Sequence, residues 1–464
     1  MTDTATDSSA ISLTELTANF ASLAWGPWLL LLLLGGGLFF LCHSGLKPFR
    51  YLGHAVDLLR GRFDDPKDPG DITHRAALSA ALAGTVGMGN IAGVALAIHI
   101  AGPGAIFWMW LTAILGIATK FYTCTLAVMY RGTDDQGRIQ GGPMYVIQQA
   151  LPKSFMPLAW LFAAAGMIGS LPAVQANQLV EALREVVLIP SGWLAADTHP
   201  ERANMLLGGA IALLTAVVIF GGLKRIATLA TALVPGMTLL YAGAAIIALL
   251  LNAASIPGVF ALIIEDAFTG AAAAGGSLWF VLVTGIRRGA YSNEAGIGSE
   301  AMAHGAARTK EPVREGLVAA LGPIVDTLMV CTATALMILL SGVWQTSDAS
   351  GVALTADAFR TLLGPVGTVI IIACVTCFSL TTIFTYSYYG EKCLSFLAGS
   401  RYGVLYRYIA VVSVFLFAIV SLETAINVID GAFALMAIPT MTAALWLAPK
   451  VKAEAQRYFA TLDP

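Results

Sequence analysis

The sequence predicts an all-α polytopic membrane protein with about eleven transmembrane helices, and three observations support this fold class. The first is composition: 57% of the 464 residues are hydrophobic and only 12% are charged, whereas a soluble globular domain carries about 25% charged residues. The second is a series of eleven apolar stretches, each long enough to cross a bilayer. The third is an alternation of basic residues between successive connecting segments. A chain with so little polar surface is expected to face lipid over most of its area.

The apolar stretches define the predicted helices. A transmembrane helix needs about 20 mostly apolar residues, which selects residues 24–44, 76–100, 104–130, 158–187, 204–222, 225–252, 276–304, 312–342, 364–390, 404–421 and 424–448. Together they form a single transmembrane domain, residues 24–448. Residues 1–23 are predicted as a polar tail that lacks the basic segment of a signal peptide, and residues 449–464 as a second tail. Residues 256–268 mix apolar and acidic side chains, which predicts a short helix on the membrane surface.

The basic residues predict an orientation. They cluster in every second connecting segment, at residues 47–75, 131–153, 224–225, 308–314, 392–407 and 450–457. The intervening segments hold only Arg202 and Arg360 clear of the helix ends. Because cytoplasmic loops are enriched in Lys and Arg, we expect the N-terminus outside and the C-terminus in the cytoplasm. The expected location is a plasma membrane of the bacterial inner-membrane type.

Glycines interrupt two of the predicted helices. The second span has four glycines between Gly84 and Gly93, and the seventh has four between Gly285 and Gly298. Glycine permits non-helical backbone, and a helix that unwinds within the membrane frees carbonyl groups for a cation and creates a helix N-terminus for an anion. Matching breaks in two halves of a chain indicate a transport site. The halves would be repeats at residues 76–222 and 277–421, with residues 24–44 as an extra N-terminal helix and residues 424–448 as the last helix.

Several short motifs predict no cofactor. Gly87–Ala92 matches the spacing of a dinucleotide-binding loop, but no strand precedes it and no acidic residue follows about 20 positions later. Cys374 and Cys377 form a lone CxxC inside an apolar run, which favours helix packing over a redox or metal site. The net charge of −2 gives no reason to expect nucleic acid as a partner.

The glycine-rich segments and their neighbours resemble one transporter family. The motifs are GTVGMGNIAGVALAI at residues 84–98, GPGAIFWMW at 102–110, GGPMYVI at 141–147, QAN at 175–177 and SNEAGIGSEAMAHGAA at 292–307. Together they resemble the sodium:alanine (alanine or glycine:cation) symporter family. That resemblance implies the LeuT-like fold of two five-helix inverted repeats.

The resemblance also implies positions for sodium. One ion would be bound by the carbonyls of Ala83 and Val86, the Phe378 carbonyl, and the hydroxyls of Thr381 and Thr382. A second ion, if present, would use the Thr85 carbonyl and the Asn90 side chain.

The substrate carboxylate is expected at the N–H groups of Met88 and Gly89. The full set of substrate-site candidates is Thr85, Gly87, Met88, Gly89, Gln175, Asn177, Gly285, Ser292 and Asn293. Gln175 and Asn177 are polar amides at membrane depth, which line the pocket or form an interhelical hydrogen bond. Because the two are two residues apart, they cannot both point into one pocket, and Gln175 is the preferred candidate. The second break lies around Gly285 to Asn293 or at Gly275–Gly276.

Charged residues within the spans need partners. Asp326 is expected to take part in ion or proton coupling or to fix helix packing, and Asp430 to be structural. Arg287 and Arg288 are expected to meet water, the cytoplasmic surface or an acid such as Glu294.

Two further basic side chains are predicted from their positions along the helices. Lys120 is expected to extend to the inner membrane surface. Among the histidines, His99 is predicted to lie deepest in a span and to be packed there.

The leading functional hypothesis is secondary active symport of a small neutral amino acid, alanine or glycine, with sodium as the coupling ion. The alternative keeps the fold but couples transport to protons or to exchange. A channel or receptor is disfavoured by the paired broken helices, and an enzyme by the lack of HExxH, GxSxG or His/Asp clusters within the spans. The expected partners are the amino acid, sodium and the lipid bilayer, and the protein is expected to be a monomer.

Overall fold

The computed structural model describes residues 13–194, 200–271 and 277–462, and these are almost entirely helical. The helices are α1 Leu13–Ala24, α2 Pro27–His43, α3 Leu52–Leu59, α4 His74–Thr85, α5 Met88–Ala101, α6 Ala105–Met129, α7 Pro143–Ala150, α8 Lys153–Leu188, α9 Pro200–Ile219, α10 Gly222–Leu251, α11 Ile256–Thr269, α12 Leu278–Asn293, α13 Glu300–His304, α14 Pro312–Ser341, α15 Gly351–Ala398, α16 Leu405–Phe417 and α17 Leu422–Phe459. Four-residue helices lie at Lys47–Arg50, Val343–Thr346 and Ser400–Gly403, and a 3-10 turn at Ala253–Ser255. Strands β1 Gly132–Thr133 and β2 Ile139–Gln140 form a small antiparallel hairpin.

The helix lengths agree with a polytopic membrane protein but differ from eleven uniform spans. Within the described residues, eight helices are long and apolar enough to cross a membrane, and nine if the bent pair α1 and α2, which meet at 47°, counts as one. In the predicted seventh and tenth spans, α12 and α16 have only 16 and 13 residues. At 1.5 Å per residue, α16 extends about 20 Å. The shortfall of α12 has a clear cause, since the chain leaves helical geometry after Asn293 and resumes in α13.

Part of the predicted N-terminal tail is helical. Residues 1–12 lie outside the described part of the chain, but α1 begins at Leu13 and packs along α17. The Thr14 and Thr424 hydroxyls lie 2.9 Å apart across this contact. Gly431 gives the Phe20 ring its space, because a Cβ at Gly431 would lie 2.3 Å from the ring.

The first glycine-rich span occupies the centre of the bundle. In the most apolar part of His74–Ala101, 94% of the residues are buried inside the protein. The corresponding share is 39% in Pro200–Ile219 and in Lys224–Leu251. α5 packs against α12 and α15, and α13 packs against α4 and α6. α6 also runs along α12 and α14. The two interrupted helices are therefore central, while α9 and α10 present apolar side chains on the outside.

The predicted surface helix at residues 256–268 corresponds to α11. It begins at Ile256 with a proline in its first turn and ends at Thr269, followed by Gly270 in a left-handed conformation. Its Asp266 carboxylate accepts a hydrogen bond of 2.8 Å from the Gly104 N–H. This contact holds α11 against the beginning of α6, so the helix is packed on the bundle through a polar contact.

Candidate functional site

The first break lies between α4 and α5 and is held open by Asn90. Gly87 is extended, with φ −150° and ψ −149°. Its N–H donates to the Asn90 side-chain oxygen over 3.0 Å, whereas in a continuous helix it would donate to the carbonyl of Ala83. The Asn90 N–H likewise donates to Gly87 O over 3.1 Å instead of to Val86. Because these two N–H groups bond elsewhere, the carbonyls of Ala83 and Val86 do not receive their regular helical hydrogen bonds.

Asn90 also links the first break to the neighbouring helices. Its amide nitrogen lies 3.2 Å from the Ser292 hydroxyl, 2.9 Å from the Asp326 carbonyl and 3.4 Å from the Cys331 sulfur. The Thr334 hydroxyl donates to the Asn90 carbonyl over 2.7 Å. The residue is completely buried, so one side chain joins α5, α12 and α14.

The second break follows α12 and lies later than predicted. Glu294 is left-handed with φ 54°, and Gly296 and Gly298 have φ of 84° and 93°. The predicted start at Gly285 is wrong, because Gly285 lies within α12. A Cβ at Gly285 would lie 2.4 Å from the Ala105 carbonyl oxygen, so this glycine allows close packing on α6. The other predicted position, Gly275–Gly276, lies outside the described residues.

Glu294 is fixed at the second break by hydroxyl groups. The Tyr386 hydroxyl donates to the Glu294 carboxylate over 2.6 Å, and the Ser299 hydroxyl donates to its other oxygen. Tyr386 is not among the site residues predicted from the sequence. Its signal is its position four residues after Thr382, which places both on one face of α15.

The predicted hydroxyl pair of α15 lies at the first break. The Thr382 hydroxyl donates to the Phe378 carbonyl over 2.9 Å. The Thr381 hydroxyl lies 2.8 Å from the Cys377 carbonyl and 3.1 Å from the Phe378 carbonyl, and Phe378, Thr381 and Thr382 are all buried. A Cβ at Gly87 would lie 2.6 Å from the Thr382 hydroxyl oxygen. Thr382 therefore lies beside the first break, although it is more than 280 positions away from Val86 in the sequence.

The two amides of α8 have different surroundings. Gln175 is buried beside Tyr291, whose ring would lie 2.9 Å from a Cβ at Gly89. Its side-chain oxygen has no hydrogen-bond partner among the described residues. Asn177 instead donates to the Val420 carbonyl over 2.7 Å. Gln175 thus faces the first break, and Asn177 makes the interhelical hydrogen bond considered as its alternative.

Ser292 and Asn293 occupy the last turn of α12, next to the second break. The Ser292 hydroxyl lies 3.2 Å from the Thr327 hydroxyl and 3.1 Å from the Cys331 sulfur. The Asn293 side-chain oxygen accepts from the Ala295 N–H over 3.0 Å, which caps the end of the helix, and its amide nitrogen is buried without a partner among the described residues. Both residues face the interior.

Asp326 lies next to the first break, where its carbonyl accepts a hydrogen bond from the Asn90 side chain. It is completely buried in α14, and its carboxyl group lies beside Thr85 and contacts the Thr327 hydroxyl. Its second oxygen has no hydrogen-bond partner among the described residues. An acidic group thus accompanies the residues proposed for the second sodium ion.

Lys120 does not extend to the membrane surface, and that prediction is wrong. Its side chain is 1% exposed and lies within electrostatic reach of Glu294, Glu300 and Asp326. α6 packs against α12, α13 and α14, and the Lys120 side chain lies inside the bundle. The ammonium group compensates buried carboxyl groups near both breaks.

Arg287 and Arg288 share Asp430 as their partner and not Glu294. Arg287 Nε lies 2.7 Å from the Asp430 carboxylate, and the Arg288 guanidinium contacts the same oxygen. Asp430 is completely buried and lies within α17, so two guanidinium groups of α12 share its single negative charge, and this contact holds α12 against α17. The three side chains line a cavity of about 510 Å³ together with Leu96 and Ile100 of α5.

The histidines also differ from expectation. His99 is exposed, whereas His74 and His304 are each 1% exposed. His99 is near the end of α5, where the helix leaves the bundle interior. The burial of the other two results from contacts with α14, which no local sequence signal indicates.

The sequence is similar over most of its length to one family of known proteins. The model of the sodium:alanine symporter family matches residues 10–463. The sodium/alanine symporter AgcS of Methanococcus maripaludis is 37% identical over 445 residues, which cover 94% of this chain and 95% of that protein. The putative sodium/proton-dependent alanine carrier protein YrbD of Bacillus subtilis is 34% identical, over 83% of this chain and 79% of that protein.

The fold is similar to that of a solved structure. The crystal structure of MhsT in complex with L-phenylalanine superposes with a TM-score of 0.55 at 14% sequence identity, covering 83% of this chain and 98% of that one. At this level of identity the similarity shows the fold alone. It agrees with the LeuT-like arrangement of two broken helices at the centre of a bundle.

Proposed function

The chain belongs to the sodium:alanine symporter family, and on this premise we propose that it couples the transport of a small neutral amino acid, alanine or glycine, to sodium. Its family and fold are those of secondary amino-acid transporters and not of enzymes. The observation that carries the finer proposal is the first break, where the Ala83 and Val86 carbonyls lie outside the regular helical bonding pattern and the buried Thr382 hydroxyl lies beside Gly87.

The sodium site is proposed at Ala83, Val86, Phe378, Thr381 and Thr382. These residues offer only oxygen ligands, which hard cations prefer. A hydroxyl that donates its proton to a backbone carbonyl keeps two lone pairs, so Thr381 and Thr382 can bind an ion without losing that hydrogen bond. The freed carbonyls of Ala83 and Val86 would complete the ligand set from the other side.

A second sodium ion is proposed at Thr85 and Asn90, with Asp326 as its counter-charge. The Asn90 oxygen already accepts the Gly87 N–H, so an ion there would share this oxygen. The adjacent Asp326 carboxylate would supply the negative charge that offsets the cost of burying the ion. The same position suits a proton, which keeps proton coupling as the alternative. The Bacillus subtilis relative YrbD is named a putative sodium/proton-dependent alanine carrier protein, which favours testing both ions.

The amino acid is proposed to bind between the two breaks. Met88 and Gly89 open the first turn of α5, where unpaired N–H groups and the helix dipole favour a carboxylate. Gln175, Ser292 and Asn293 would contribute polar contacts from α8 and α12. The Tyr291 ring lies against Gly89, which leaves room only for a small side chain at this point.

Transport would proceed by alternating access around this site. Residues 76–222 and 277–421 are proposed as the two repeats that move relative to each other. In the proposed orientation the beginning of α4 faces the cytoplasm and the end of α5 faces outside, in a plasma membrane of the bacterial inner-membrane type. The protein is proposed to work as a monomer.

Uptake into proteoliposomes tests the coupling ion. With an inward sodium gradient, we expect alanine or glycine to accumulate above its external concentration, and replacement of sodium by choline should abolish this accumulation. A pH gradient imposed without sodium serves as the control. Accumulation that persists in choline and follows the pH gradient would show proton coupling and reject the sodium proposal.

A further inference from the structure

A carboxylate flanked by two histidines lies buried at the end of the bundle where α4 begins. The Glu315 carboxylate accepts a hydrogen bond from His304 Nδ1 over 2.6 Å and contacts His74 Nδ1 through its other oxygen. All three side chains are at most 1% exposed. We call this group the His–Glu–His cluster. It lies apart from the residues proposed to bind sodium and the amino acid.

The cluster joins the two interrupted helices on the same side of their breaks. His74 is the first residue of α4, His304 the last of α13, and Glu315 lies in the first turn of α14. The segments next to α4 and α13 also pair through their backbones, because Arg308 N donates to Ile72 O over 2.6 Å. Any movement that opens this end must therefore separate the members of the cluster.

Direct contact with the carboxylate comes from the imidazoles. The charged and titratable groups around the cluster are Asp64, Asp71, Cys124, Glu300, Arg131 and Arg314, with His54 and Tyr458 behind Arg314 and Lys392 beside Met302. Arg131 donates its hydrogen bonds to backbone carbonyls, including those of Gly305 and Thr309. Lys224 and Arg225 of the adjacent α10 are exposed.

We propose that the His–Glu–His cluster binds one proton, and that this proton holds the α4 and α13 ends together. With one imidazole protonated, the cluster carries a single positive and a single negative charge, which is the arrangement that a buried site favours. Without the proton, the buried carboxylate has no cation in direct contact, and its desolvation favours separation into water. An imidazole that reaches water loses this proton near pH 6.5, so opening and proton release are linked.

This inference rests on the proposed function in one respect. If the protein works by alternating access, opening of this end is the step that connects the central site to the cytoplasm. The proton would then control that step from outside the transport site, as a ligand distinct from the coupling ion.

Cys124 provides a natural reporter of the opening. It is completely buried, and it packs with Ala301 of α13 and Ala319 of α14, so separation of α13 from α14 would expose it. The experiment measures modification of Cys124 by a small methanethiosulfonate in the purified full-length protein, read by peptide mass spectrometry. At each pH the rate is divided into the rate for the denatured protein, which removes the pH dependence of the thiol itself.

In the wild-type protein, we expect the protection of Cys124 to fall between pH 6 and 8.5, by up to tenfold per pH unit for a single linked proton. Glu315→Gln should lose this fall, because a glutamine amide can donate to one neutral imidazole and accept from the other. The double variant His74→Gln, His304→Gln should leave Cys124 accessible at every pH, which gives a second test if Glu315→Gln does not fold. His99→Gln, at an exposed histidine, is the matched control and should behave as the wild type.

A protection that does not change with pH in the wild type, or that falls in parallel in Glu315→Gln, would overturn the proton-binding proposal. The labelling needs neither amino acid nor sodium gradient. Its failure therefore leaves the transport proposal intact, and failure of sodium-driven uptake leaves the labelling result intact.

Discussion

Substitution of Gly87 by alanine tests the proposed sodium site through a single methyl group. Gly87 has a negative φ of −150°, outside the left-handed region that favours glycine. The new Cβ would lie 2.6 Å from the Thr382 hydroxyl oxygen and 3.5 Å from its Cβ. Since Thr382 is completely buried and branched at its Cβ, the hydroxyl must rotate or the break must widen. Either response displaces the proposed Thr382 ligand relative to the first break.

The magnitude follows from the crowding. An extra methyl group in a well-packed interior costs about 1–3 kcal/mol. If this energy falls entirely on the sodium-bound state, with about 1.4 kcal/mol per factor of ten, the sodium concentration for half-maximal alanine uptake should rise roughly 5- to 150-fold. The assay is initial uptake into proteoliposomes across a range of sodium concentrations, at saturating alanine.

Gly93→Ala is the matched control. Gly93 lies two turns further along the same span, and a Cβ there would meet only the Met88 carbonyl oxygen, at 3.9 Å. This variant should keep the wild-type sodium dependence. An unchanged sodium dependence in Gly87→Ala, in a protein that still transports alanine, would refute the placement of the ion beside Thr382.

Further substitutions separate the roles of the remaining polar and charged residues. Thr381→Ala combined with Thr382→Ala should lower transport and weaken its sodium activation, while the corresponding double serine variant should retain both; equal sodium activation in the two variants would reject the hydroxyl ligands. Gln175→Ala should raise the half-saturating alanine concentration roughly tenfold, as expected for a hydrogen bond to a charged ligand, whereas Asn177→Ala should lower the thermal midpoint without this change. The reverse pattern would exchange the two assignments. Asp430→Asn leaves two arginines without their carboxylate and should destabilise the protein by about 3–5 kcal/mol; a thermal midpoint equal to that of the wild type would contradict the buried ion pair.

The first break could be predicted from the sequence because its determinants are local. Gly87 and Asn90 are three residues apart, and the Asn90 side chain replaces the helical partner of the Gly87 N–H. A glycine cluster with a nearby polar amide is visible in one short segment. The same is true of α11, because the mixture of apolar and acidic side chains that predicts it lies within residues 256–268.

The second break was misplaced because glycine serves two purposes that look alike in a sequence. Gly285 allows α12 to approach the Ala105 backbone, whereas Gly296 and Gly298 adopt positive φ at the break. The left-handed residue that ends α12 is Glu294, which is not a glycine. Only the path of α6 past α12 distinguishes packing glycines from those that turn the chain.

Partners of the buried charges could not be predicted because they are distant in the chain. Arg288 and Asp430 are 142 residues apart, and His74 and Glu315 are 241 residues apart. The cost of burying an ion predicts that each has a partner but not which one. The incorrect expectation for Lys120 has the same origin, since its burial depends on the helices that enclose α6.

The two buried ion clusters have a common physical rationale. Lipid is as apolar as the helix surfaces, so apolar contacts between helices gain little from excluding it, and contacts that must open to water during transport are better made by groups that water also solvates. Asp430 and its arginines lie beside the end of α5, and Glu315 and its histidines beside the beginning of α4. These are opposite ends of one broken helix whose middle forms the proposed ion site. Alternating access requires that one end stays closed while the other opens, and the two clusters differ in how they can be released: an arginine keeps its charge at every physiological pH, whereas a histidine does not. Only the Glu315 end can therefore be released by the loss of a proton.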